Sequence, residues 1–123
     1  MHFNPYAETI AETEDPRELE YLTILQITLD LEKFLGATDV SPELKSALWR
    51  NQLLWSALRA DLLSEGNALP DTLKAGLVSL SFSVDRHTPK VLDGSIDVGL
   101  LVDVNRAVMR GLKGVAAEAV HGA

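Results

Sequence analysis

The chain has no cysteine, no long apolar run and no surplus of basic charge. The first absence removes a disulfide framework, a thiolate metal site and a cysteine nucleophile, and it agrees with a reducing cytoplasm. The second removes a membrane-spanning helix, which needs about 20 consecutive apolar residues. The opening MHFNPYAETIAETEDP also lacks a basic segment followed by an apolar one, so it does not read as a signal peptide. The third argues against direct binding of DNA or RNA, whose phosphates are recognised mainly by neutralising them with Lys and Arg. The net charge is −7 and is unevenly placed. Residues 1–32 hold Glu8, Glu12, Glu14, Asp15, Glu18, Glu20, Asp30 and Glu32 against Arg17 alone, while the rest of the chain is balanced. Two accounts of this acidic segment stay open: a solvated helix N-terminus, where the dipole favours negative charge, or an arm for a basic partner.

The usual signatures of chemistry are missing as well. There is no Gly-rich phosphate loop and no Ser in a nucleophile-elbow context. Asp85-Arg86-His87 looks reactive on the page, but successive helical residues point about 100° apart and no second histidine stands nearby to complete a metal site. It reads as a helix end carrying an ion pair and a cap-like histidine. Asp61 and Glu65 share a helix face, yet the Glu-x-x-His pairs of di-iron bundles are absent. No catalytic, cofactor-binding or metal-binding residue is therefore assigned, and a non-enzyme is expected.

With 46% apolar residues in 123, the chain can build one core, and residues 1–123 read as a single helical domain. Its central element is Ser41 to Gly66. Ser41 is a good N-cap, Pro42 suits the first helical position, and Gly66 before Asn67 is the expected left-handed stop. At 100° per residue, Leu44, Leu48, Trp55, Leu58 and Leu62 form one stripe, while Trp49, Leu53, Ala60 and Leu63 form a second beyond Gln52 and Arg59. A helix with two apolar stripes needs two sets of neighbours. Either other helices of the domain cover both, or one stripe is left for a partner.

Around it the chain reads as helices throughout. Residues 1–14 leave two alternatives, a short N-terminal helix or a frayed end. Asp15 as cap, Pro16 as first residue and Glu18 in a capping box start a helix that runs to Leu35 and ends at Gly36. Leu22, Leu25 and Leu29 mark one side of it and Ile24, Ile27, Leu31, Phe34 and Leu35 another. A third helix begins near Pro70, with Leu73, Leu77, Leu80 and Val84 as its core stripe and Gly76, Ser79 and Ser83 as a small-residue face for close helix approach. Thr88-Pro89 ends it or kinks it into a last turn through Leu92. Ser95 is expected to cap a fourth helix over Ile96–Leu112, with Val98, Leu101, Val102, Asn105, Val108, Met109 and Leu112 inward and 115–123 fraying. The fold class is all-α: a compact bundle of four main helices.

The stretches AETEDPRELEYL, LWSALRADLLSEGNALPDTLKAGLVSLSFSVDRHT and VNRAVMRGL, in this order, resemble the flagellar biosynthesis regulator FlaF of α-proteobacteria over roughly residues 3–112. The resemblance implies a small cytoplasmic chaperone or secretion adaptor for flagellin, working alongside a second regulator, FlbT. It brings no catalytic residue. The alternative it leaves is a regulatory adaptor that acts with FlbT on flagellin mRNA translation without holding flagellin stably. For either role the partner-binding residues expected are Trp49, Leu53, Arg59 and Leu63, with Arg59 also placed to stack on Trp55 one turn away.

Overall fold

The computed structural model describes the backbone of residues 16–121 and the side chains of residues 21–111. The described residues form an all-α bundle of four helices: α1 Pro16–Glu32, α2 Pro42–Leu62, α3 Asp71–Leu92 and α4 Gly99–His121. Short connections fold successive helices antiparallel. Asp30–Arg50 sets the register of α1 on α2, Gln52–Asp85 and Arg59–Ser81 that of α2 on α3, and Glu32–Arg106 that of α4 on α1. Each helix packs on two neighbours around a square, with α1 diagonal to α3 and α2 diagonal to α4. The Asp15 cap, the Glu18 capping box, residues 1–14 and the inward placing of Leu112 lie outside the described residues.

The start of α2 is as the sequence dictates. Ser41 Oγ accepts the Leu44 N–H at 3.1 Å and Pro42 opens the helix. Its end differs. The helix stops at Leu62, with Leu63 as a right-handed C-cap whose N–H donates to the Arg59 carbonyl. Gly66 is not left-handed; among the described residues only Gly36 and Gly94 are. The reason is that Leu63 and Ser64 pair terminal carbonyls first, the Leu63 N–H donating to Arg59 and the Ser64 N–H and Oγ both donating to Asp61. These carbonyls are then already paired before the chain reaches Gly66.

The fourth helix also begins later than expected and runs further, to His121. Asp97, not Ser95, supplies the carboxylate at its start, accepting the Gly99 N–H at 3.0 Å. Ser95 instead donates its own N–H to Asp93, closing the turn. On α3 the helix passes through Pro89 to Leu92. Its fully buried row is Leu77, Ser81, Val84, Thr88 and Val91, so the stripe is rotated from the expected one and Leu73 and Leu80 are only half-buried. Ser81 and Thr88 tolerate burial because each hydroxyl donates to a carbonyl of its own helix, that of Val78 and of Val84. On the small-residue face Gly76 and Ser79 are exposed, and a Cβ built on Gly76 would meet nothing within 4 Å among the described residues.

The core is the stripe Leu44, Leu48, Trp55, Leu58 and Leu62 of α2, closed by Ile24, Ile27 and Leu31 of α1, by Leu101, Val102, Val108 and Met109 of α4 and by Val98 just before it. On α1 the Leu29 side is left partly in solvent. A polar thread crosses the middle of this core along the α2–α4 diagonal. Trp55 Nε1 donates to Asn105 Oδ1 and Asn105 Nδ2 donates to Asn51 Oδ1, both at 2.8 Å, and all three side chains are fully buried. Asn51 Nδ2 has no acceptor. An unpaired buried donor costs about 1–3 kcal/mol, so the thread trades some stability for fixing how α4 sits against α2.

Candidate partner-binding site

The second apolar row of α2 is uncovered. Trp49 is 63%, Leu53 37% and Leu63 67% exposed, and Ala60 between them is exposed too. Their spacing of four, seven and three residues puts them on one outer stripe, turned away from the buried row. Leu63 belongs to it as the capping residue rather than as part of the helix. Single exposed apolar residues need no explanation, but several on one helix face make that face a candidate for an interaction surface.

Arg59 sits where α2 meets α3, and its side chain is committed there. Its Nε donates to Ser81 Oγ at 2.8 Å, and one Nη donates both to the Ser81 carbonyl at 3.0 Å and to Asp85 Oδ2 at 2.5 Å. Its flat face lies over a ring, as expected, but the ring is Phe82, 4.4 Å to the centroid, and not Trp55. Trp55 cannot serve because it is wholly inside, held by Asn105. Asp85 also accepts from Gln52 Nε2 at 2.6 Å, so the reactive-looking Asp85-Arg86-His87 run is a seam residue, an exposed arginine and a histidine. The histidine Nδ1 sits 2.6 Å from the Ser83 carbonyl of its own helix.

Electrostatics keep this seam ionised. Burial pushes the Asp85 carboxyl up, but the hydrogen bonds from Arg59 and Gln52 and the Arg59 charge outweigh it and hold it below the usual carboxylate range. The opposite flank of α2 is fixed the same way. There burial of Asp30 is outweighed by Arg50, at 2.7 Å, and by Lys33. The α2–α3 seam is thus a polar floor built of Gln52, Arg59, Ser81 and Asp85, with Arg59 also over the Phe82 ring.

Phe82 is the exposed aromatic residue beside Arg59 that sequence reasoning did not single out. Its signal was present in Ala75, Ser79, Phe82 and Arg86, spaced four, three and four, which is the outer stripe of α3. An apolar row beside a fixed ion-paired floor can take the apolar face of an incoming amphipathic helix. Among the described residues there is no group of three His, Cys, Asp or Glu side chains placed to hold a metal ion. No described helix is long and apolar enough to cross a membrane.

Residues 2–112 match the family model described as "Flagellar protein FlaF". No curated protein and no solved structure gives a significant match to the chain.

Proposed function

The chain belongs to the FlaF family of flagellar proteins, and from that premise we propose that it is a cytoplasmic chaperone or secretion adaptor for flagellin. It binds a helical segment of flagellin non-covalently, without ATP and without chemistry of its own. The observation that carries this reading is the outer row of α2, Trp49, Leu53 and Leu63, left in solvent. A subunit waiting for export has apolar helix faces that will be buried only on assembly, and a small bundle with a spare apolar row can cover such a face and release it. Arg59 contributes by fixing the floor and the Phe82 ring, while Trp49, Leu53 and Leu63 make the contacts.

Binding of purified components tests this. The chaperone retains flagellin on its own in a two-component pull-down or titration. Retention that requires FlbT as a third component would overturn the reading and favour the regulatory adaptor that acts on flagellin mRNA translation.

A further inference from the structure

The four helices are not evenly joined. Among the described residues α2 lies most closely along α3 and α4 along α1, while the α1–α2 and α3–α4 interfaces are thinner. Polar pins follow the same division. Gln52 and Arg59 hold α2 to α3 through Asp85 and Ser81, and Arg106 holds α4 to α1 through both carboxylate oxygens of Glu32. The bundle is thus two helix pairs laid face to face.

The chain crosses from one pair to the other twice, both times at the same end. Each crossing passes through a left-handed glycine, Gly36 at φ 78° and Gly94 at φ 80°, and the Asp97 carboxylate ties the two crossings by accepting the Gly36 N–H at 2.9 Å. At the opposite end the connection over residues 63–70 stays within the α2–α3 pair. Among the described side chains, the polar ties between the pairs also keep to the glycine end and the middle. Asp30 meets Arg50 at 2.7 Å, and Asn105 bridges Trp55 and Asn51 in the core. Beyond Trp55 the core side chains are apolar: Leu58, Leu62 and Leu77 in one pair, Ile24, Val108 and Met109 in the other.

We propose that the α2–α3 pair swings away from the α1–α4 pair about Gly36 and Gly94, parting at the remote end, with the Trp55–Asn105–Asn51 thread as the latch. Hinges are a few connection residues that absorb a backbone rotation, and glycine has no side chain to resist one. The latch is weakened from within. Asn51 Nδ2 is buried without an acceptor in the closed bundle and gains water on opening, which narrows the free-energy gap between the two states. Each helix keeps its own backbone bonds throughout, and the outer row of α2 takes no part.

Native-state hydrogen exchange on the ¹⁵N-labelled full chain tests this, because the Trp55 indole N–H bonds across the two pairs while helical amides bond within one helix. The indole should be protected about tenfold less, or weaker still, than the slowest α2 and α4 amides, with the exposed Trp49 indole as the unprotected reference. Asp30→Asn cuts a tie between the pairs and should speed indole exchange about threefold, whereas Arg106→Gln cuts a pin within one pair and should leave it unchanged. The proposal is overturned if the indole exchanges only as slowly as those amides, if the amides around Trp55 or Asn105 exchange along with it, or if the two substitutions act in any other way. No flagellin is present, so this motion and the binding reading can fail separately.

Discussion

The two tryptophans of α2 stand six positions apart, roughly 240° around the helix, and the molecule treats them in opposite ways. Trp55 is fully enclosed and its indole N–H is satisfied by Asn105; Trp49 has nearly two thirds of its surface in solvent. The same side chain on the same helix is a structural pin in one direction and a free contact in the other. What separates them is the angular position fixed by Gln52 and Arg59, which face α3 and mark the border between the two rows.

The largest effect that would break this contrast lies on the buried side. Trp55→Ala should remove about 3–5 kcal/mol, a large part of a typical domain stability of about 5–15 kcal/mol, and urea unfolding followed by circular dichroism would read it. A variant that unfolds at the parent's urea concentration would place Trp55 outside the core. Next in size is Asn105→Ala, which leaves the Trp55 N–H and Asn51 without partners in the polar thread. About 1–3 kcal/mol should be lost beyond the cost of the cavity. A loss confined to a few tenths of a kcal/mol would mean that the thread contributes little to the Trp55 side.

How far the fold was legible follows from what each signal measures. The α2 stripes, the Ser41 cap and the inward positions from Val98, just before α4, to Met109 were legible because apolar spacing and capping are local properties. On α3, Leu77 and Val84 are core as expected and Leu73 and Leu80 pack half-buried against it, but Ser81 and Thr88 were missed because they count as polar in a periodicity although each carries its own acceptor within the helix. The stop of α2 was misplaced because a glycine is only one way to end a helix, and Leu63 and Ser64 supplied another by pairing the last carbonyls. At the candidate site, Trp49, Leu53 and Leu63 were legible as a row. The partner of Arg59 was not, since choosing between Phe82 and Trp55 depends on how α3 docks.

Acid sharpens the comparison at its borders. Asp30 pairs with Arg50 on one flank of α2 and Asp85 with Arg59 on the other. Both carboxyls are held below the ordinary value of 3.8 in the fold, so their contribution is present above that value and is lost as pH falls through the lowered one. Melting temperature should hold between about pH 7 and 5 and fall below about pH 4. The double variant Asp30→Asn/Asp85→Asn should start less stable and show a shallower decline. Each pair is worth about 1 kcal/mol or less, since Arg50 and Asp85 are partly exposed. An unchanged acid profile in the double variant would mean that other carboxylates govern the decline.

The smallest expected effect on stability is the one that decides function. Trp49→Ala removes a ring that contacts mostly water, so the change in unfolding free energy should stay within about 0.5 kcal/mol. If the outer row of α2 receives flagellin, the same substitution should weaken binding by about 2 kcal/mol or more, roughly thirtyfold, because interface energy concentrates in a few large aromatic contacts. Leu53→Asp, on the neighbouring turn, should act in the same direction by placing a carboxylate where an apolar face must settle. A fold left intact with binding lost would separate the two tryptophans by role as cleanly as the structure separates them by burial. Parent-like flagellin affinity in both variants would remove the α2 row from the interface, whatever the melting curves show.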